Sequence, residues 1–351
     1  MQNSGFETNS WPEILEHLLA GNDLTEGLAH DVMSAILRGE VAPEQVAGLL
    51  VAMRAKGPST EELIGFLSAM QDAGEQVPVD AEQLGLIDTC GTGGDGHKTI
   101  NISTTAALVV VGAGGKVCKH GNRAVSSASG SADVLEALGI NIEMGADEVA
   151  RSIAEVGIGF CFAPRFHPAM RHVGPTRKQL GIATFFNFLG PLANPARVRR
   201  QLIGANDLAV AEAIADVLKH LEHRHAMVVV GHDGLDELSA KGSANVIHLK
   251  DGEITRYEIN PKKFDISYDS EDAIRGGDAQ ANAESTLAVL GGEDGPKRDV
   301  VALNAAAGLV VADLAADMAE GFEMATSSID SGEAMSALTA WQEFSQKLSQ
   351  Q

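Results

Sequence analysis

Nowhere in these 351 residues is there an apolar run long enough to span a bilayer, which excludes a helical membrane protein. The opening MQNSGFETNSWPEI has no basic segment followed by an apolar one, so no secretory leader is expected. Cysteine is scarce. Cys90, Cys118 and Cys161 are scattered, odd in number and without ligand spacing, which argues against a disulfide framework or a cysteine metal site. Each lies in or beside an apolar run, the setting of a buried reduced thiol, and the whole pattern points to the cytoplasm. Positive charge is also in deficit: the net charge of −22 speaks against a general binder of nucleic acid or of membrane surfaces.

Acid is missing locally, and this is more informative than the total. From Gly96 to Ala132 there is no Asp or Glu, while Lys98, Lys116, Lys119 and Arg123 are present. From Val156 to Asn206 there is again none, against Arg165, Arg171, Arg177, Lys178, Arg197, Arg199 and Arg200. Two acid-free basic windows in so acidic a chain favour a local anion site.

What is there divides in two. The first eighty or so residues carry apolar positions three and four apart, the period of short amphipathic helices. Ser10 with Glu13 and Ser59 with Glu62 have capping-box spacing, Pro12 suits a first turn, and Gly57 and Gly74 close the last two segments. From Leu84 onward, short apolar runs (LIDTC, GKVCKH, GIGFCFA, RQLIGA, HAMVVVG) alternate with helical patterns, which predicts an α/β domain on a mostly parallel sheet flanked by helices. ANVIHLKDGEITRYEI predicts a hairpin turning at Asp251-Gly252.

Four segments carry chemistry. CGTGGDGHKTINIST, Cys90 to Thr104, fits the literal G-x-G-x-x-G pattern and comes close to a P-loop. A dinucleotide site would need an acid at the end of the next strand, yet that strand ends in Lys119, His120, Gly121 and Asn122. The P-loop spacing fails because Lys98 is one residue late. A glycine-rich turn between a strand and a helix beginning near Thr99 remains suited to phosphate. The second segment, Lys119 to Gly139, adds Lys119 and Arg123, a close-approach Gly121, and the hydroxyls of Ser126, Ser127, Ser129 and Ser131 ahead of a helix, with no carboxylate until Asp133. The third, GHDGLDELS, sets Asp236 and Glu237 side by side after the strongest strand, a donor pair suited to magnesium together with substrate phosphates. The fourth, Phe162 to Pro195, offers an arginine to a carboxylate, and spacing leaves Arg165, Arg171 and Arg177 open. His167 and His172 lack metal spacing and read as packing residues.

Together these segments resemble the anthranilate phosphoribosyltransferase family over nearly the whole chain. The motifs are G-T-G-G-D-G with N-I-S-T, K-H-G-N-R followed by S-G-S-A-D-V-L-E-A-L-G, F-A-P-x-x-H-P-A-M, L-G-P-L-x-N-P and G-L-D-E. The resemblance implies transfer of a phosphoribosyl group from 5-phosphoribosyl 1-pyrophosphate to anthranilate, with Mg2+. It implies donor contacts at Gly91, Gly94, Asp95, Thr99, Asn101, Ile102, Ser103 and Thr104. The same site would extend to Lys119, His120, Gly121, Asn122, Arg123, Ala124, Val125, Ser126, Ser127 and Ser131. It implies magnesium at Ser103, Asp236 and Glu237, and anthranilate at Gly91, Asn122 and Arg177 with His120 close by. No residue is expected as acid, base or nucleophile. A helical domain over 1–80, joined by helices from about 165–185, an α/β domain over 84–351 and a homodimer are expected, with no nucleic-acid partner. The chain departs from the family pattern at Ile100, Ala124, Thr176 and Ala183, positions that bear on substrate fit and not on reaction class.

Overall fold

Four helices open the chain: α1 (Trp11–Leu19), α2 (Glu26–Leu37), α3 (Pro43–Lys56) and α4 (Thr60–Asp72). The computed structural model describes residues 10–93, 96–124, 128–268 and 270–348; Gly94, Asp95, Val125, Ser126 and Ser127, named above as donor contacts, lie outside them. The two expected capping boxes differ in outcome. Ser59 is extended (φ −78°, ψ 162°), so its hydroxyl accepts from the Glu62 N–H while the Glu62 carboxylate accepts from the Ser59 N–H. Ser10, at φ −107° and ψ 61°, is not extended, and its side chain makes no cap bond.

The α/β part follows in the order β1 (Leu86–Gly91), α5 (Ile102–Gly112), β2 (Lys116–Gly121), α6 (Ser131–Ala137), α7 (Ala146–Val156) and β3 (Ile158–Phe162). Three short helices come next, α8 (Ala163–Phe166), α9 (Gly174–Leu180) and α10 (Phe186–Leu192). The chain then continues through β4 (Arg200–Gly204), α11 (Leu208–His220), β5 (His225–Gly231), β6 (Ala244–Lys250) and β7 (Glu253–Ile259). It closes with α12 (Ala279–Leu290), α13 (Pro296–Val311), α14 (Met318–Asp330) and α15 (Glu333–Leu348). Two compact units result. One runs to Gln76 and takes up Pro164–Pro195; the other comprises Val77–Ala163 and everything from Ala196.

Among the described residues the second unit carries one seven-stranded sheet, ordered β3-β2-β1-β4-β5-β6-β7. Neighbours from β3 to β5 pair in parallel, and β6 and β7 close the edge as an antiparallel hairpin. Its turn is Asp251-Gly252, both at positive φ, as a type I′ turn requires. Strand order reverses between β1 and β4, the place where open α/β sheets leave a crevice beyond the strand ends. Two helices pack at the centre of this unit: α5 is buried at Ile102 and from Thr104 to Val110, and α13 from Val300 to Val311. Apolar residues all round are the mark of a core helix. All three cysteines are buried thiols, with Cys118 Sγ and Cys161 Sγ 3.6 Å apart.

Around the start of β5, polar groups form a chain whose direction is dictated. The His225 Nδ1–H donates to Asp313 Oδ1 (2.9 Å), so His225 Nε2 must accept from His248 Nε2–H (2.8 Å). His248 Nδ1 is then left to accept from the Tyr257 hydroxyl (3.0 Å). Burial lowers the pKa of His225 and takes that of His248 down to about 4; burial likewise takes His223 down to about 4 and raises Tyr257 to about 12. Burial pushes Asp313 up, and the bonds from Lys250 and His225 more than reverse it.

These shifts set a direction. Each ring binds its proton less readily in the folded than in the unfolded chain, whose imidazoles titrate near 6.5. The histidines' contribution to stability is therefore fully present above about pH 6.5 and declines as pH falls toward about 4. His223 alone accounts for about 3 kcal/mol over that window at about 1.4 kcal/mol per unit. Urea titrations of the parent and of His223→Gln between pH 7 and 4 should diverge in this sense, the variant losing less stability than the parent as pH falls.

Candidate active site

The site is built where β1 and β4 end. Gly91 and Gly204 are register partners on those strands, and the Thr92 N–H donates to the Gly204 carbonyl (2.8 Å). A Cβ on Gly91 would collide with Asp236 Oδ2, and one on Gly204 with the backbone carbonyl of Asp236. The turn after β5 thus lies directly on two bare backbone positions, which only glycine leaves open. Asp236 Oδ2 accepts from the Gly93 N–H at 2.7 Å, and Glu237 Oε1 accepts from the Ser103 N–H at 3.1 Å, in the first turn of α5. Both carboxylates therefore meet the turn that leads into α5.

Lys119 runs beneath this contact. It is 2% exposed; its Nζ donates to the Thr89 carbonyl and lies 3.4 Å from Ser103 Oγ. Thr89 Oγ1 in turn donates to the Ser103 carbonyl at 3.0 Å. Burial first, and the Asp236 charge second, push the Glu237 carboxyl well above the usual range, against the opposing pull of Lys119 and Ser103. Two carboxylates that repel each other beside a serine hydroxyl, all hard oxygen donors, are a donor set that suits a small divalent cation. Cys90, next to them, is no nucleophile: burial and the Asp88 charge hold its thiol protonated.

The remaining expected residues among those described have partners of their own. Asn101 Nδ2 donates to the Ser129 carbonyl (3.3 Å), and its Oδ1 accepts from Asn282 Nδ2 (2.7 Å). Thr99 is held in a bridge with Arg275, and Ile100 N–H donates to the Ile274 carbonyl, so the helix starts at Ile102 and not near Thr99. Ile102 and Thr104 are buried in α5. His120 is buried and gives its backbone N–H to Asp88 Oδ1 (3.2 Å). Asn122 is exposed, and its carbonyl accepts from Ser131 Oγ (3.3 Å) across Gly121. Arg123 is held by Asp133 and Glu136 and lies over the Phe162 ring; Ala124 N–H donates to Asp133 (3.0 Å).

In the helical unit the three candidate arginines differ. Arg165 is paired with Glu75. Arg171 is exposed. Arg177 is half-buried on α9 with its guanidinium 5.1 Å from the Phe186 ring centre, and burial alone lowers its pKa. It has no carboxylate partner among the described residues. A desolvated cation so placed favours an incoming anion. Two buried polar residues of the other unit escaped the sequence reasoning. Asp88 sits in a strand that reads as apolar, and Asn282 lies on a helix far along the chain. A carboxylate inside LIDTC was the available signal for the first; only the fold reveals the second.

Residues 83–335 match the family described as "Glycosyl transferase family, a/b domain", and residues 12–74 match its "helical bundle domain". The chain is 47% identical over 335 residues to the anthranilate phosphoribosyltransferase of Symbiobacterium thermophilum, covering 95% of this chain and 98% of that one. It is 48% identical over 328 residues to that of Chloroflexus aggregans, covering 93% and 96%. Among solved structures, anthranilate phosphoribosyltransferase from Thermus thermophilus superposes with a TM-score of 0.88 at 39% identity, over 95% of this chain and 99% of that one. The Saccharomyces cerevisiae enzyme in complex with PRPP and Mg gives 0.87 at 28% identity, over 96% and 98%.

Because the Asp236 backbone cannot yield as a flexible side chain does, Gly204→Ala should push the turn after β5 off the end of β4. Overpacking of this kind costs about 1–3 kcal/mol, a loss that urea denaturation of the variant would read directly.

Proposed function

The chain belongs to the glycosyl transferase family with helical-bundle and α/β domains, and we propose that it is an anthranilate phosphoribosyltransferase. The reaction transfers the 5-phosphoribosyl group of 5-phosphoribosyl 1-pyrophosphate to the amine of anthranilate, giving N-(5-phosphoribosyl)anthranilate and pyrophosphate, a step of tryptophan biosynthesis. The observation that carries this reading is the seating of Asp236 on Gly91 and Gly204 with Glu237 on the Ser103 N–H, at the point where strand order reverses.

A bond forms from the amine nitrogen to the anomeric carbon as the bond from that carbon to pyrophosphate breaks. The nitrogen then gives up one proton to the departing pyrophosphate or to water, leaving the neutral secondary amine. The aromatic amine is neutral near pH 7, so the protein need not remove a proton before attack. What the protein must do is hold the pyrophosphate, stabilise the charge that grows there and place the amine. Gly91, Thr99, Asn101, Ile102, Ser103 and Thr104, with Gly94 and Asp95 beyond the described residues, form the donor turn in this proposal. Lys119 to Ser127 and Ser131 complete it. Ser103, Asp236 and Glu237 would hold Mg2+, which supplies charge stabilisation to the pyrophosphate when bound. Lys119, buried against the Thr89 carbonyl and Ser103 Oγ, opposes the upward shift of the Glu237 carboxyl in the free protein.

Gly91, His120 and Asn122 serve anthranilate in this reading, and Arg177 takes its carboxylate. A site of amides, hydroxyls and one buried lysine, beside a protonated Cys90, matches a route with no covalent enzyme intermediate. We further propose a homodimer working in the cytoplasm; no helix among the described residues is long and apolar enough to cross a membrane.

The direct test follows anthranilate fluorescence with 5-phosphoribosyl 1-pyrophosphate, with and without Mg2+; no consumption with both present would overturn the reading. Arg177→Ala should raise the KM for anthranilate about 10- to 100-fold, the equivalent of losing about 1.5–3 kcal/mol of charged hydrogen bonding, and an unchanged KM would remove Arg177 from the site. Asp236→Ala combined with Glu237→Ala should shift the Mg2+ titration of activity to higher concentration, and an unshifted curve would remove the pair from the metal site.

A further inference from the structure

Asn304 is an amide in the middle of an otherwise apolar stretch of α13, between Leu303 and Ala305, and it is 0% exposed. Such a group is tolerated in a core only if its donors and acceptor are matched. They are matched by the turn after β5. Asn304 Oδ1 accepts from the Leu238 N–H at 2.9 Å, and Asn304 Nδ2 donates to the Leu238 carbonyl at 2.9 Å. The second Nδ2 hydrogen goes to the Val300 carbonyl at 2.8 Å, one turn back in the same helix. Because the Leu238 N–H can only donate, it dictates which way the amide faces.

One side chain therefore takes both backbone hydrogen-bonding groups of one loop residue. That residue follows Glu237 directly, and its N–H shares a peptide plane with the Glu237 carbonyl. On the other side of the pair, Asp236 is fixed by its seat over Gly91 and Gly204. Glu237 thus stands between two anchors, one made by strand ends and one by α13. Fixing its peptide plane aims its carboxylate at the Ser103 N–H.

We propose that Asn304 is a positioning residue for the cation-holding carboxylates, acting through Leu238 and touching no substrate. This rests on the magnesium reading of Asp236 and Glu237 given above. Only an amide meets all of these demands, since an aspartate in its place has no donor for the Leu238 and Val300 carbonyls. A serine can bond its own helix but is too short to span to the loop.

The test compares full-length protein with Asn304→Asp and with Asn304→Ser, whose small side chain suits the alanine-rich surroundings. Mn2+ binding in the presence of inorganic pyrophosphate is followed by electron paramagnetic resonance. Circular dichroism and a thermal melt check folding. Partners that orient a ligand are worth about 10- to 100-fold in metal affinity, so Mn2+ affinity should fall by that factor in a variant that melts cooperatively. The KM for 5-phosphoribosyl 1-pyrophosphate should rise at limiting Mg2+ and recover at saturating Mg2+, while the KM for anthranilate stays put. A purely structural role would not give that Mg2+-dependent recovery. Folded variants with Mn2+ affinity within twofold of the parent overturn the proposal. So does failure of both variants to fold, which would make Asn304 a residue of general stability. Absence of Mn2+ binding in the parent protein would instead overturn the magnesium reading beneath it.

Discussion

The contact on which the rest depends is the seating of the Asp236 backbone and carboxylate on Gly91 and Gly204. It joins the ends of two neighbouring strands to the turn after a third. Through Gly93 and Ser103 it then reaches the turn that opens α5. Its strength lies in geometry more than in any single bond. Without side chains on the two strand ends, the acidic turn comes close enough for its carboxylates to meet backbone amides. The amides offset part of the charge that burial would otherwise make intolerable, and Lys119 offsets more from below.

Most of the fold was legible because it follows from local period and turn chemistry. The five parallel strands coincide with the apolar runs, and Asp251-Gly252 turns the hairpin as its residue types demand. Misses came where a distant partner overrode a local signal. Thr99 and Ile100 are drawn onto Ile274 and Arg275, so the helix opens later than its pattern suggests. Ser10 has the residue type of a cap but not the backbone angles.

The candidate site was legible in part, and charge shows where the limit falls. Asp236 and Glu237 stood out as adjacent acids after the strongest strand. The basic windows were harder to read, because several of their cations serve the protein itself: Arg123 on Asp133 and Glu136, Arg165 on Glu75, Arg200 on Asp313 and Glu82. An acid-free window therefore marks where acids are excluded, and only the fold separates cations left for a ligand from those already paired. Asn282 and Asn304 could not be assigned from sequence because their partners lie on other elements, whereas Asp88 left a signal in the carboxylate of an apolar strand.

The helical unit is assembled from two stretches of chain with β1 to β3 between them. Its closing contacts include Phe66 of α4 stacked on Phe185, just ahead of α10, with ring centres 4.7 Å apart. During synthesis α1 to α4 leave the ribosome well before Phe185 exists, so the apolar face of α4 must wait while the first half of the sheet emerges. The unit cannot close before the chain has been made through Pro195. Order of translation thus imposes on this protein a window in which four finished helices lack their lid, a hazard of the kind that draws chaperones to nascent chains.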